Sequence, residues 1–192
     1  MGIYQEEMII PIKDSYTYDD YARLPEGAPF QLIGGKLVMT PAPGTYHQII
    51  LMRLIEKLLF FLAGKDLGIL FTAPVDVFLE EKETYQPDII FIAKDRMHII
   101  ETTKIKGAPD LVIEILSPST GYYDLKKKAR VYARCGVKEY WIVDPEDKSI
   151  DVFQPQDGNF VLVNHVEGSG QAKSLFLKGF AVEAREIFAP LQ

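Results

Sequence analysis

The six residues Leu111–Leu116, LVIEIL, form an apolar run broken by a single carboxylate, Glu114. On an extended chain, Asp110, Val112, Glu114 and Leu116 share one face and Leu111, Ile113 and Ile115 share the other. Both faces are then large and apolar, the pattern of a strand covered on both sides. Pro118 ends the run, a lysine-rich helix is predicted over Tyr123–Arg134, and Gly136 stands at its C-terminal cap position. A second apolar strand follows at Glu139–Val143. Strand, helix and strand in that order demand a layered α/β arrangement, and place Glu114 inside it.

The flanking segments fill out that frame. Thr17 is placed to cap a short helix through Arg23, and FQLIGGKLVMT predicts a β-hairpin turning at Gly34-Gly35. A long helix is expected from about Tyr46 to Ala63, capped by Thr45 and stopped by Gly64, with Ile50, Leu51, Leu54, Ile55, Leu58 and Leu59 on one broad face. Strands are predicted at Ile69–Thr72, Val75–Leu79 and Asp88–Ile92, with a polar connection at Lys94–Lys106. Further strands are expected at Ile150–Gln154 and Phe160–Asn164, and a strand or short helix at Val182–Phe188. The fold class is α/β (α+β): a mixed β-sheet flanked by helices, with an N-terminal β-hairpin and additional C-terminal strands. No repeat or linker interrupts the 192 residues, so a single domain with a core over about 17–188 is expected.

Composition narrows the function. Apolar residues make up 47% and charged residues 25%, an ordinary globular balance. One cysteine, Cys135, excludes an intrachain disulfide and fits a reducing cytoplasm. The N-terminal MGIYQEEMIIPIKD lacks the order of a signal peptide, Glu6 stands where a myristoylation signal needs Ser or Thr, and no stretch predicts a membrane span. A net charge of −6 argues against a protein that coats DNA generally. It leaves room for a local basic site, and Lys126, Lys127, Lys128, Arg130 and Arg134 form the obvious cluster.

Two carboxylates carry the chemistry. Glu114, inside its strand, needs a cation or several donors to offset the cost of burial; a buried salt bridge with Lys128 would answer that need as well. Asp88 follows Pro87 at the mouth of the strand IIFI, where Pro-Asp is also a common structural pair. Together, two carboxylates at neighbouring strand ends can hold Mg²⁺ (or Mn²⁺), which prefers oxygen ligands and keeps water for chemistry. On the helix, Leu125, Ala129 and Tyr132 define the core-facing stripe and Lys128 falls between them. Lys126, Lys127, Arg130 and Arg134 point to the wetter side, either as a solvated face or as a contact for a DNA backbone. His47, near the start of the long helix, is a cap, a core group or an accessory to the site. His98 and His165 are expected at the surface, and no Cys or His spacing supports zinc. No glycine-rich phosphate loop is present.

The ordered segments FQLIGGKLVMTPAPGTYH, QPDIIFI, GAPDLVIEILSPST, D-x-x-x-K-x-x-x-Y-A and GVKEYWIVDP resemble a bacterial family of proposed restriction endonucleases within the PD-(D/E)xK nuclease superfamily. The resemblance runs from about Thr17 to Phe188. It implies a restriction-endonuclease-like core and a metal-dependent nuclease acting on phosphodiester bonds, with DNA as substrate. Asp88 and Glu114 match the two motif carboxylates, with the Ile115 carbonyl as a further metal ligand. The lysine expected two residues after Glu114 is replaced by Leu116, so Lys128, four residues before Tyr132, becomes the substitute. Gln31 stands where relatives are expected to carry glutamate. Asp110 is expected to hold a second ion or orient Lys128, with His47 and Tyr132 supporting. A homodimer would serve the cutting of two strands. The alternatives are a non-catalytic module on the same fold and a phosphohydrolase of a small nucleotide.

Overall fold

The computed structural model describes residues 12–117 and 122–190. The N-terminal segment read for targeting signals, apart from Ile12–Asp14, and the strand stop at Pro118 lie outside them, as does the side chain of Asp124 in the expected helix motif. Helix α1 (Tyr18–Tyr21) leads to β1 (Phe30–Ile33), β2 (Lys36–Met39), α2 (Thr45–Leu62), β3 (Gly68–Thr72), β4 (Val77–Glu80), β5 (Glu83–Tyr85) and β6 (Ile89–Ala93). A 3₁₀ turn at Lys94–Ile99 and β7 (Ile105–Lys106) precede β8 (Leu111–Ile115), α3 (Tyr122–Cys135), β9 (Glu139–Asp144), β10 (Ser149–Gln156) and β11 (Asn159–Glu167). The chain closes with β12 (Gln171–Lys173), β13 (Ala181–Glu183) and α4 (Ala184–Ile187). The architecture is α+β, with mixed sheets flanked by helices.

A six-stranded sheet in the order β11-β10-β9-β8-β6-β3 forms the centre. Only β8 and β9 run parallel in it, pairing Leu111 with Glu139 and Glu114 with Ile142. A parallel pair needs a crossover, and α3 supplies it. The two-residue alternation along β8 therefore sorts its side chains between two cores. Leu111, Ile113 and Ile115 join Leu54 and Leu58 of α2, Trp141 and the C-terminal Phe180 and Ile187. Val112 joins Val131 and Tyr132 of α3, Tyr140, and Ile33 and Val77 of a second, five-stranded sheet ordered β2-β1-β5-β4-β7. Each large side chain removed from water in these cores contributes roughly 1.5–3 kcal/mol.

Local chemistry explains the details. Gly34 and Gly35 take positive φ of 59° and 73° at the β1–β2 turn, as anticipated for that hairpin. Gly68, at the start of β3, is required by close approach: a Cβ there would lie 2.1 Å from the Ile92 carbonyl oxygen. Three expectations need correction. Gly44, not Thr45, is the N-cap of α2; Thr45 is the first helical residue, and Gln48 N–H bonds the Gly44 carbonyl. Leu59 is 56% exposed, because the apolar positions of α2 span more of the helix than the sheet can cover. The 80–85 segment carries a strand, β5, whose mixed sequence ETY lacks the apolar run that announces β6. No helix among the described residues is long and apolar enough to cross a membrane.

Candidate active site

Glu114 sits at the fourth position of β8, on the face that α3 covers. The residue is 5% exposed, and its Oε1 accepts two bonds from one helix: Lys128 Nζ at 2.9 Å and Tyr132 Oη at 2.8 Å. Residues four apart on a helix lie on the same face, which is how 128 and 132 deliver both donors to one oxygen. Lys128 is itself only 3% exposed. Burial raises the Glu114 pKa; the Lys128 and Tyr132 contacts oppose it, and the charge of Asp88 adds to the rise. Burial likewise pushes the Tyr132 hydroxyl well above its ordinary range, so it stays a donor.

Asp88 immediately precedes β6, at the mouth of the neighbouring strand. Its Oδ2 accepts the Ile115 N–H at 2.7 Å, tying it to the end of β8. Its Oδ1 lies 3.3 Å from His47 Nε2 on the first turns of α2. Burial works to lower the His47 pKa, but the Asp88 carboxylate, the Ile115 backbone and the Glu114 charge outweigh it, so the imidazolium is favoured. His47 is buried, and its Nδ1 has no hydrogen-bond partner among the described residues. Four of the predicted residues, Asp88, Glu114, Lys128 and His47, line one cleft of about 990 Å³ with Ile115. Tyr132 stands behind them as a donor to Glu114.

The structure moves Asp110 out of this group. It is fully buried at the opposite end of β8, where Arg96 at 3.0 Å, Lys138 at 2.8 Å and the Ala93 N–H at 2.8 Å surround its carboxylate. Sharing a face with Glu114 is not sharing a site, because four residues of strand span about 13 Å. Asp110 therefore ties the sheet to the 3₁₀ turn and does not orient Lys128. The basic residues of α3 also stand apart from the cleft. Arg134 makes a double bond pair with Glu80 (2.9 and 2.8 Å), and Lys127 Nζ donates to the Ile33 carbonyl at 3.3 Å. Lys126 and Arg130 are exposed, and none of the four lines the cleft. Cys135 lies beside Glu80, and burial raises its thiol to about 11, which excludes a ready nucleophile.

One constellation escapes sequence reasoning. Gln86, two residues before Asp88, donates its side-chain Nε2 to Asp76 Oδ1 at 2.9 Å and its backbone N–H to Gln31 Oε1 at 3.1 Å. Tyr21 donates to the same Asp76 oxygen at 2.7 Å. These groups come from α1, β1 and the approaches to β4 and β6, so spacing along the chain gave no sign of them. The signal the sequence does carry is Gln31, which stands where relatives are expected to have glutamate. With Pro87 these groups fix the chain that aims Asp88.

Two cores on either side of a mixed sheet define an α+β fold, and the comparisons with known proteins place that fold. The structure matches that of a putative nuclease belonging to DUF820 from Anabaena variabilis, with a TM-score of 0.77 over 93% of this chain and 98% of the other, at 23% identity. That likeness is one of restriction-endonuclease-like fold. Residues 18–185 match the model of the Uma2 family, described as "Putative restriction endonuclease", and the chain belongs to that family. No curated protein matches the sequence. Family and fold together support a nuclease.

Proposed function

We propose that the protein is a metal-dependent nuclease that hydrolyses phosphodiester bonds of DNA, using Asp88, Glu114 and Lys128. The observation that carries this reading is that two strand-end carboxylates, Asp88 and Glu114, line one cleft with Lys128, which is bonded to Glu114. The donor set fits a hard cation. Lys128 and Tyr132 occupy one oxygen of Glu114, and no described residue donates to the other. Asp88 is close enough for its charge to act on Glu114, an arrangement of like charges that a cation relieves. Among the described residues no group of three His, Cys, Asp or Glu side chains is placed to hold a metal ion. Two carboxylates and the Ile115 carbonyl would leave the remaining positions to water, as Mg²⁺ and Mn²⁺ favour.

When bound there, the metal would acidify the attacking water and stabilise charge on the phosphate. The chain's own groups do the rest. Lys128 spends one of its three donors on Glu114, leaving two for the water or a phosphate oxygen. Tyr132 keeps Glu114 from rotating away. His47 and the Ile115 N–H hold the two oxygens of Asp88. The water gives up a proton to solvent as its oxygen bonds to phosphorus, the bond to the leaving oxygen breaks, and that oxygen takes up a proton from solvent.

The test is incubation with plasmid and single-stranded DNA plus Mg²⁺ or Mn²⁺, beside an Asp88→Ala control. Metal-dependent cleavage by the wild type alone is expected. Cleavage by both preparations, or by neither in either metal, would sink the assignment.

A further inference from the structure

The cleft is built for bases more than for phosphates. Its charged lining, beyond the site, consists of Glu26, Asp76 and Glu101 against Lys104. Within the site, Lys128 gives one donor to Glu114 and keeps two, enough for the reacting phosphate but not for a row of them. Lys104 is engaged elsewhere in part: its Nζ lies 4.1 Å from the centre of the Tyr18 ring and 3.7 Å from Glu101. No arginine lines the cleft among the described residues, and the basic face of α3 stands outside it. A duplex binder that grips 6–10 phosphates needs a matching row of cations, and the described residues of the cleft supply no such row.

Beside those carboxylates, the walls offer apolar and uncharged polar surface. Met39, Met52, Ile55, Phe71, Pro29 and Pro74 supply apolar surface. Met39 is 64% and Met52 60% exposed, so these contacts are open to a ligand. The polar side chains are the amides Gln31, Gln48 and Gln86, the Asp76 carboxylate and the hydroxyls of Tyr21, Ser117 and four threonines; Gln31, Gln86, Asp76 and Tyr21 are linked to one another, and the amides carry donor and acceptor together, as nucleobase edges do. Base edges and faces are available together only where the strand is unpaired. The volume of about 990 Å³ is at the upper end of small-ligand sites, room for a short segment only.

We infer that the substrate is a short unpaired stretch of nucleic acid, held through its bases by the walls of this cleft with few phosphate contacts, and not a continuous duplex. This rests on the nuclease reading for its cleavage chemistry, but binding tests it separately. The probe is a fluorescein-labelled 20-mer, alone or annealed to its complement, titrated by anisotropy with the full-length Asp88→Asn protein. The strand is expected to bind at least about tenfold more tightly than the duplex. Between 50 and 200 mM NaCl its affinity should fall less than about thirtyfold, the loss for three or four single-strand phosphates. Met52→Glu should weaken strand binding and Met52→Lys strengthen it, each about three- to tenfold, and Met39→Glu should repeat the weakening.

Duplex bound as tightly as strand, a steeper salt loss, or indifference to all three methionine substitutions would overturn the inference. Those results leave metal-dependent cleavage by the wild type as a separate readout. Conversely, strand preference in binding without wild-type cleavage would sink the nuclease reading and keep the substrate class.

Discussion

Replacing Lys128 by methionine keeps the stem of the side chain and removes its charge, which isolates the Glu114 pair. Removing one partner of a buried ion pair costs ~3–5 kcal/mol, because the other charge is left behind. Here Tyr132 still donates to Glu114, and Glu114 borders the cleft, so water reaches it in part. The nearby charge of Asp88 acts the other way. The balance places the loss near the lower end, about 3 kcal/mol, or roughly 6–12 °C in Tm for a chain of this size. Adding Glu114→Gln to Lys128→Met removes the stranded charge and should restore stability to within about 1 kcal/mol of wild type. Thermal melts at neutral pH without metal measure both. Cleavage of a labelled strand in Mn²⁺ should fall at least about a hundredfold in the single variant and stay lost in the stabilised double variant. A single variant melting within 2 °C of wild type with its cleavage retained would refute both the buried pair and the role of Lys128. A double variant no more stable than the single would refute the stranded-charge account alone.

Other outcomes follow from the same geometry. Asp110 is held below the ordinary carboxylate range: burial works to raise it, but the Ala93 N–H, Lys138 and Arg96 prevail. Its contribution is therefore present above the unfolded pKa near 4 and lost as pH falls through the lower folded value. Asp110→Asn should cost about 2–3 kcal/mol at pH 7, with the difference from wild type shrinking in acid melts. Gln86→Ala should weaken Mn²⁺ binding by calorimetry about tenfold while lowering stability only about 1–2 kcal/mol, since it supports the chain before Asp88 without touching the site. Gly68→Ala sets a Cβ 2.1 Å from the Ile92 carbonyl at a φ of 150°, and should cost about 3 kcal/mol or more in denaturant unfolding.

The strand LVIEIL is legible because burial on both faces leaves a continuous apolar run, and the helix behind it because its apolar stripe recurs with the helical period. The same projection put Lys128 inward, and its bond to Glu114 is short and buried. Asp110 was misplaced because period-two reasoning gives the face of a strand but not the distance along it. The Gln86, Asp76, Gln31 and Tyr21 network was invisible for a related reason: its members lie up to 65 positions apart, and only sheet registry brings them together. The strand β5 was missed because its buried residues are polar; Glu83 accepts from Tyr85 at 2.6 Å and from the Gly34 N–H at 2.8 Å. Buried polar strands pay no tribute to hydrophobic pattern, since their satisfaction comes from partners elsewhere in the chain.

Placing the lysine on α3 instead of on β8 changes what the site depends on. A lysine two residues beyond Glu114 would be carried by the same strand and held by sheet hydrogen bonds. Lys128 instead reaches Glu114 only while α3 is docked through Leu125, Val131 and Tyr132 on the sheet. Tyr132 links the two requirements, because one side chain both packs in that core, edge-on to Tyr85 at 5.4 Å between ring centres, and donates to Glu114. Charge arrangement and helix docking thus reinforce each other: the ion pair is worth most when the helix excludes water, and the helix pays least for its buried lysine when Glu114 is there to meet it. Loss of packing at Tyr132 would then disturb the carboxylate before it disturbed the fold. Tyr132→Phe, which keeps the ring and removes only the hydroxyl, separates these effects. It should cost about 1–2 kcal/mol, and reduce cleavage at saturating substrate more than it raises KM. Equal cleavage by Tyr132→Phe and wild type would show that Lys128 alone orients Glu114, leaving the tyrosine a packing residue.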